Sequence, residues 1–423
     1  MSDDATAIDL RSRWSVLTQF PASVVGFSQR ALDATAFFLA DAADGLGPFL
    51  VIDLTTRRGW NSADAGAALA VMLLATVATQ TFTGAWIDRT RFKRRAIAVA
   101  ALTVGIATVA LYFASSKPLV YALQTFVGAA VTVFPPALAA ISLGLVGRTR
   151  LAWRAGRNEA CFHAGNVTAA ALAACSSHLL GPIGMFVSVA AMAVVSSVAA
   201  LLIPEREIDH RLARGADGGG EQPTIVPIRR LLEDRRIWWF VAAAVLFHFA
   251  NAAMLPLVGQ KVGHKAADFA PTLMAACIIV AQITMVPVAM LAGRFANFGR
   301  KSVFLVAFAV LPVRGLLYTL TDSSLLLIAN QVLDGIGAGI FGVVALLMMA
   351  DYTRGTGRFN FAQAVVATSI GVGAAASNYV SGRIVDSAGF DAGFAFLAAV
   401  AVIALLVFAL RVPESLQETA EAT

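Results

Sequence analysis

Long apolar stretches recur along the whole chain, and short polar or charged breaks separate them. A helix of about 20 apolar residues spans the hydrocarbon core of a bilayer, which is about 30 Å thick. The pattern therefore predicts an all-α membrane protein with twelve transmembrane helices, the fourth of which should bend at Pro135-Pro136. The predicted spans are residues 31–53, 65–87, 96–115, 118–147, 158–180, 182–203, 237–258, 270–292, 302–321, 324–349, 360–385 and 390–411.

The longest polar segment between spans lies near the middle of the chain and divides the spans into six plus six. Its run of three glycines is typical of a linker. We therefore predict two six-helix bundles with a cytoplasmic loop between them and short cytoplasmic segments at both ends. The predicted boundaries are 1–30 for the N-terminal segment, 31–203 for the first bundle, 204–236 for the loop, 237–411 for the second bundle and 412–423 for the C-terminal tail.

The two halves echo each other in sequence. Gln124 precedes Gly128 by four residues in span four, and Gln331 precedes Gly335 by four residues in span ten. Two further pairs, Gly156-Arg157 with Gly357-Arg358 and Gly84 with Gly293, recur at similar offsets; the three offsets are 207, 201 and 209 residues. A nearly constant offset indicates an internal duplication, which is common in transporters built from repeats.

Charge assigns an orientation to the spans. Only 14% of the residues are charged, although the net charge is +6, and soluble proteins carry about 25%. The short loops after even-numbered spans hold 14 basic residues and those after odd-numbered spans hold 6. Because basic loops stay in the cytoplasm, we expect a multi-pass protein of the inner (cytoplasmic) membrane with both termini cytoplasmic. The basic balance then needs no nucleic-acid partner.

A charged motif lies between spans two and three, "GAWIDRTRFKRR" at residues 84–95. With the six-plus-six plan and the long central loop, it resembles the signature of the major facilitator superfamily, a family of secondary transporters. Gly84, Asp88 and Arg89 match that signature. Arg91 stands where the family has a second glycine. The resemblance covers about residues 30–411 and implies a pseudo-symmetric fold of twelve helices.

The second half carries a partial copy of this motif, "GRFANFGRK", with Gly293, Asn297 and Arg300. Asn297 replaces the acidic residue. In the family this loop latches the two halves together in the outward-facing state. An acid at a helix end can meet a neighbouring helix N-terminus or arginines of a facing loop. The alternative is a solvated basic loop whose charges only set orientation.

Two further stretches partly match motifs of the drug-antiporter branch of that family. The branch often has an arginine in span four where this chain has Gln124. It also has a glycine-rich motif that ends in Gly-Pro, of which Gly181-Pro182 remains while Ser177 replaces a glycine. This second stretch also fits a simple turn between spans five and six.

Span one carries two aspartates three residues apart, Asp41 and Asp44. An acid at the centre of a membrane costs about 2.5–3.5 kcal/mol, whereas a leucine returns only about 0.3–0.6 kcal/mol. Both acids, and Asp33 on the same face, are therefore expected to face a cavity or a partner. A desolvated carboxylate binds protons more readily, so Asp41 and Asp44 are candidates for proton coupling. The structural alternative is pairing with hydroxyls or an arginine of another span.

The second half has its own charges in apolar surroundings, Arg314 in span nine and Asp334 in span ten. An arginine keeps its charge, so Arg314 needs a carboxylate or a bound anion. Asp334 on the adjacent span is a candidate partner and a further candidate for proton coupling. If the pair opens, Arg314 could bind an anionic substrate.

Polar residues within other spans complete the candidate set. His248 can titrate near neutral pH and is a candidate for proton coupling, although a structural role is the alternative; His163 and Asn166 in span five are similar and weaker. The candidates for substrate binding, besides Arg314, are Asn251, Gln331, Gln363, Asn378 and Gln124.

Motifs of enzymes are absent from the sequence. It contains no GxxxxGK[ST], HExxH or GxSxG, and its three cysteines have no metal-ligand spacing. We therefore expect neither an enzyme nor a cofactor or metal. The primary hypothesis is a monomeric secondary transporter in the lipid bilayer that exports a small organic molecule in exchange for protons. The alternative is an importer or facilitator of an organic anion that Arg314 anchors.

Overall fold

The computed structural model describes residues 26–44, 50, 53–60, 62–215, 226–263 and 270–416, and these residues form helices joined by short turns. In the first half, up to residue 203, the helices are α1 (Phe27–Asp44), α2 (Ser62–Arg89), α3 (Lys93–Phe113), α4 (Lys117–Val131), α5 (Phe134–Leu180) and α6 (Ile183–Leu202). The later helices are α7 (Ile228–Leu232), α8 (Arg235–Ala252), α9 (Met254–Gly263), α10 (Ala270–Phe295), α11 (Arg300–Leu320), α12 (Ser324–Ala329), α13 (Gln331–Tyr352), α14 (Phe359–Ala388) and α15 (Phe390–Arg411).

The helices account for the twelve predicted spans. Ten stretches are long and apolar enough to cross a membrane, and one of them, Lys117–Leu180, contains two crossings. The chain turns between these two at Gly147, whose φ of 68° breaks the otherwise continuous α5. Glycine adopts this left-handed conformation without a steric penalty. With α1 as the first crossing, the fold is the expected twelve-helix, six-plus-six arrangement.

The fourth span bends close to where the sequence predicted. The interruption lies at Thr132 and Val133, between the end of α4 and the start of α5 at Phe134. Pro135 and Pro136 occupy the first turn of α5. A proline is tolerated there because the first N–H groups of a helix have no intrahelical acceptor. The two prolines thus begin a helix directly after the bend.

The predicted duplication is visible in the helix boundaries. α3 begins at Lys93 and α11 at Arg300, which are 207 residues apart, and both helices have 21 residues. α6 begins at Ile183 and α15 at Phe390, again 207 residues apart. α1 and α8 each have 18 residues. The starts of equivalent helices are therefore offset by the same distance that separates the repeated sequence motifs Gln124 and Gln331.

The two halves pack against each other through α2 with α14 and α5 with α10. The apolar core of the second half continues into the first, because Ala152 and Ala155 of α5 belong to it. Large apolar side chains on the outside of the bundle, such as Phe82, Leu320 and Leu410, are more than three-quarters exposed. An apolar exterior of this extent fits a helix bundle surrounded by lipid.

Candidate functional site

Asp88 lies in the last turn of α2, and its side chain joins the two halves of the molecule. Its buried carboxylate accepts hydrogen bonds from the backbone N–H of Asn360 at 3.1 Å, from Asn360 Nδ2 at 2.7 Å and from the N–H of Phe361 at 2.9 Å. These donors lie in the first turn of α14, where N–H groups are free and the helix dipole favours an anion. We name this end of the bundle the Asp88 face and the opposite end, which carries Asp53, the Asp53 face.

Two close helix crossings are related by the internal repeat, and the first of them lies one turn before Asp88. A Cβ added to Gly84 of α2 would lie 2.6 Å from the carbonyl oxygen of Asn360 in α14. A Cβ added to Gly293 of α10 would lie 2.5 Å from the carbonyl oxygen of Ala152 in α5, where Gly156 also packs. Only glycine permits backbones to approach this closely. Both halves thus contribute one glycine crossing to the same face.

The remaining residues of the predicted latch lie elsewhere. Arg89 and Asn297 are exposed. Arg300 bonds within the second half, from Nε to Asp351 at 3.3 Å and from a terminal nitrogen to the carbonyl of Ala296 at 2.5 Å. Of the six residues that the sequence proposed for the latch, the structure brings Gly84, Asp88 and Gly293 into contacts between the halves.

Part of the central loop lies across the Asp88 face and contacts both halves. The carbonyl oxygen of Gly215 accepts hydrogen bonds from Arg148 of α5 at 2.9 Å and from the N–H of Gly355 in the second half at 2.8 Å. Asn360 Nδ2 donates to the carbonyl of Ala213 at 3.2 Å, and Arg358 Nε donates to that of Val226 at 3.0 Å. The loop therefore adds backbone hydrogen bonds to the same closed face.

At mid-depth the halves meet through polar side chains. Thr81 Oγ1 of α2 lies 2.9 Å from Thr368 Oγ1 of α14. His163 Nδ1 of α5 lies 2.7 Å from Gln282 Oε1 of α10. One turn before His163, Glu159 places a carboxylate oxygen 3.7 Å from His163 Nε2. These contacts form a second layer of polar contacts between the halves.

Sequence reasoning missed Glu159 and Gln282 in this layer. Glu159 lies at the edge of the predicted fifth span, where an acid resembles a loop charge. Its i, i+4 spacing to His163 was the available signal, since residues four apart share a helix face. No comparable signal marks Gln282.

Arg314 is buried and its guanidinium has four side-chain partners. A terminal nitrogen lies 2.8 Å from an oxygen of Asp334 and also donates to Asn251 Oδ1. The other terminal nitrogen donates to Gln331 Oε1 at 3.1 Å, and Nε donates to the hydroxyl of Tyr318 at 3.2 Å. The structure thus brings four of the predicted residues together and adds Tyr318. In this state each of the three guanidinium nitrogens contacts a protein side chain.

A similar cluster in the first half centres on Asp33 of α1. Its carboxylate pairs with Arg154, whose side chain is buried, and with Arg157, whose terminal nitrogen lies 2.6 Å away. Arg154 Nε also donates to Asn158 at 2.8 Å, and Asn158 donates to Ser142 at 2.6 Å. The sequence analysis assigned both arginines to the loop before span five. In the structure they lie within α5 and pair with Asp33 of α1. The cluster ties α1 to α5 near the Asp88 face.

On the Asp53 face, a short π-helix (Asp53–Arg57) docks onto the end of α3. Buried Asp53 pairs with Arg57 and Arg58, and Arg58 donates to the carbonyl of Leu111 at 2.6 Å. The hydrogen bond that Arg57 donates to Asp53 raises the pKa of Arg57 above its ordinary value. These contacts join helices of the first half only.

The other predicted site residues have varied positions. The backbones of Asp41 and Asp44 lie in the last turns of α1, and their side chains lie outside the described part of the structure. His248 bonds to the carbonyl of Ala244 at 3.1 Å and lies edge-on to Phe341, with ring centroids 4.4 Å apart. Gln124 is buried and donates a hydrogen bond to the carbonyl of Ala68. Gln363 has a buried Nε2 without a partner among the described residues. Asn378 is exposed and donates a hydrogen bond to the carbonyl of Ala374 in its own helix.

Within the described ranges, no group of three or more His, Cys, Asp or Glu side chains is placed to hold a metal ion.

Comparisons with known proteins agree with this architecture. A family model described as Major Facilitator Superfamily matches residues 32–310 and 273–423. Two proteins named uncharacterized MFS-type transporter, from Mycobacterium tuberculosis strains CDC 1551 / Oshkosh and ATCC 25618 / H37Rv, are each 46% identical over 389 residues. Each alignment covers 91% of this chain and 93% of the relative.

Two solved structures share the fold at 14% sequence identity. The transporter FucP in the outward conformation superposes with a TM-score of 0.68 and covers 92% of this chain and 99% of its own. The proton:xylose symporter XylE, bound to 6-bromo-6-deoxy-D-glucose, superposes with a TM-score of 0.66 and covers 92% of this chain and 95% of its own.

Proposed function

This chain belongs to the major facilitator superfamily of transporters, and we propose that it moves a small organic molecule across the cytoplasmic membrane by alternating access, as a monomer that exports its substrate in exchange for protons. The observation that carries the proposal is the pair of repeat-related glycine crossings, at Gly84 and Gly293, which close the Asp88 face. In a carrier built from two repeats, one face closes while the other opens.

Orientation follows from the basic residues. Of the 14 basic residues counted on the Asp88 side, Arg154 and Arg157 pair with Asp33 of α1 and are set aside, which leaves 12 against 6. This excess still favours a cytoplasmic Asp88 face and cytoplasmic termini. The described state is then closed to the cytoplasm, as an outward-facing carrier requires.

Proton coupling is supported by ionisable groups within the membrane helices. Asp334 is engaged by Arg314, and His248 bonds to its own backbone among aromatic rings. Both arrangements fit structural roles. We therefore prefer Asp41 and Asp44 of α1 as the residues that bind the coupling proton. The sequence of α1 contains no lysine or arginine after Arg30 that could pair with them.

The alternative, an anion facilitator anchored by Arg314, is less favoured by the geometry. All three guanidinium nitrogens bond to Asp334, Asn251, Gln331 or Tyr318. An anion would have to displace Asp334, which would leave a largely buried carboxylate without its partner. That exchange is costly.

Everted membrane vesicles with an imposed proton gradient test the proposed function. A panel of cationic, neutral and anionic compounds is added, and collapse of the gradient is followed for the wild type and Asp44→Asn. We expect at least one compound to collapse the gradient with the wild type and not with Asp44→Asn. Asp64→Asn is the matched control, because Asp64 pairs with Lys117 near the Asp53 face and should not affect coupling.

Two results would overturn parts of the proposal. If no compound collapses the gradient while a labelled anion equilibrates in an Arg314-dependent manner, the facilitator is correct. If Asp44→Asn behaves as the wild type does, proton coupling does not use Asp44.

A further inference from the structure

We propose that the second half binds one anionic phospholipid at the Asp88 face, with the lipid headgroup held between Arg235 and Arg411. Arg235 begins α8 and Arg411 ends α15, and these two helices pack against each other. The inference goes beyond the proposed function, because it concerns the lipid around the carrier and not the transported molecule. With the Asp88 face cytoplasmic, the cytoplasmic leaflet supplies this lipid.

Two tryptophans mark the depth of this site. Trp238 and Trp239 lie one turn after the exposed Arg235 and are themselves 46% and 39% exposed. Tryptophan is enriched where the membrane meets water. The guanidinium carbon of Arg411 lies 5.2 Å from the centre of the Trp239 ring, and Arg235 shares a helix face with Trp239 four residues later. The two arginines therefore flank one indole at the level of the lipid headgroups.

Neither Arg235 nor Arg411 forms an ion pair with a carboxylate in the described part of the chain. The acids close to them in sequence are engaged in other contacts: Asp234 with Arg236 at 2.7 Å, Glu233 with Arg229 at 3.0 Å, and Glu414 with the backbone N–H groups of Arg300 and Lys301 at the start of α11. Two exposed guanidinium groups are thus left for an anion from outside the protein.

The helices themselves do not compensate these charges. The start of α8 carries a positive partial charge, so its dipole does not stabilise Arg235. The end of α15 carries about half a negative charge, and it already has a second cation, because Lys301 Nζ donates to the carbonyl of Ala409 at 2.7 Å. A net positive potential therefore remains at this corner of the bundle.

The internal repeat shows that the fold does not require the two arginines. The sequence Ile-Pro-Glu at 203–205, after α6, recurs as Val-Pro-Glu at 412–414, after α15. The residue before this turn is Leu202 in the first half and Arg411 in the second. α1 and α8, which have equal lengths, begin with Phe27 and Arg235. The first half places exposed apolar side chains at both positions, so the arginines serve something other than packing.

A phospholipid matches this corner better than a soluble anion does. A guanidinium donates parallel hydrogen bonds to two oxygens of a phosphate group. Beside the arginines, Trp238 and the 76% exposed Leu410 offer an apolar surface that acyl chains can cover. A soluble anion would contact the charges alone. Each basic residue near the membrane surface strengthens the binding of anionic lipid by about fivefold.

Native mass spectrometry tests the site. The protein is purified in detergent, stripped of lipid and mixed with equal amounts of phosphatidylglycerol, which is anionic, and phosphatidylethanolamine, which is zwitterionic. The ratio of the two lipids retained is measured for the wild type, for Arg235→Gln with Arg411→Gln, and for Arg235→Lys with Arg411→Lys. The matched control is Arg91→Gln with Arg150→Gln, which removes two exposed arginines from the same face of the first half.

We expect the wild type to retain one phosphatidylglycerol in preference to phosphatidylethanolamine. The glutamine pair at 235 and 411 should lower this preference by about tenfold or more, because two contributions of about fivefold are lost. The lysine pair should keep most of the preference, since it keeps both charges. The control pair should behave as the wild type does.

A wild type that retains the two lipids equally would overturn the proposal. So would a control pair that lowers the preference as much as the glutamine pair at 235 and 411 does, because the preference would then follow net charge alone. A further arm adds inorganic phosphate in excess over the lipid. Displacement of phosphatidylglycerol by phosphate would identify a site for a soluble anion and would also contradict the lipid site.

Discussion

Arg314 carries a charge and is buried inside the protein, away from both water and lipid. Its guanidinium is surrounded by Asp334, Asn251, Gln331 and Tyr318 from three helices. A buried ion pair gains little over apolar packing, but loss of one partner leaves an uncompensated charge. Arg314 and Asp334 should therefore depend on each other more than on the rest of the fold.

We predict that Arg314→Met destabilises the protein more than the double variant Arg314→Met with Asp334→Met. Removing one partner of a buried pair costs about 3–5 kcal/mol in soluble proteins, whereas single intramembrane hydrogen bonds average about 0.6 kcal/mol. Thermal unfolding in detergent measures the difference, with exposed Arg150→Met as the control. A double variant that unfolds at or below the temperature of the single variant would contradict the prediction.

Sequence alone identified Arg314 and Asp334 because each charge interrupts a long apolar stretch. The same reasoning missed Arg154, which lies near the predicted start of span five among other basic residues. The difference is physical. A charge in mid-span has one explanation, whereas a charge near a span end fits both a loop and a buried pair, and only the packing of α1 against α5 distinguishes them.

At the level of helices, closure of the Asp88 face depends on small residues. Gly293 and Gly156 bring α10 and α5 so close that an added Cβ at either glycine would lie 2.5 Å from a carbonyl oxygen of the other helix. Gly84 does the same for α2 and α14. Because backbone atoms form the obstacle, the helices themselves would have to separate to accept a side chain.

We predict that Gly293→Ala opens the Asp88 face while the protein stays folded. The added methyl group would overlap the backbone of α5, so the ratio of closed to open molecules should fall several-fold. The ratio is read from the distance between spin labels at Arg91→Cys and Phe298→Cys, exposed positions of the two halves, in a chain whose three native cysteines are serine. Gly382→Ala on α14 is the control, because nothing lies within 4 Å of an added Cβ there. An unchanged distance distribution in Gly293→Ala would show that this crossing does not limit closure.

Helix boundaries were predictable where the sequence contains residues that favour a turn, such as a Gly-Pro pair. Gly181-Pro182 separates α5 from α6, with Gly181 at a φ of 70°. The bend of the fourth span fell within a few residues of Pro135. The turn at Gly147 was harder to place, because Gly144 offers the same residue type three positions earlier.

For the whole molecule, the sequence predicted the number of helices and the duplication, since both follow from hydrophobic periodicity and spacing along the chain. The sequence did not predict which face is closed. That depends on contacts between residues far apart in sequence, such as Thr81 with Thr368 or His163 with Gln282. No local pattern encodes such pairs, and a carrier must form and break them during each cycle.

A reversible cross-link between the halves tests alternating access most directly. Thr81 and Thr368 are replaced by cysteine in a chain whose three native cysteines are serine. The hydroxyl oxygens of these threonines lie 2.9 Å apart, so the Cβ atoms are close enough to approach the roughly 3.5–4.5 Å separation that a disulfide needs. The control pair is Thr83 and Thr132, whose hydroxyl oxygens also lie 2.9 Å apart but within one half.

The measurement is collapse of the proton gradient in everted vesicles by an active compound, before oxidation, after oxidation and after reduction. The 81–368 cross-link should abolish collapse, and reduction should restore it, because the Asp88 face cannot open while the halves are joined. The 83–132 cross-link should have little effect. Undiminished transport by the fully cross-linked 81–368 protein would contradict alternating access through this face.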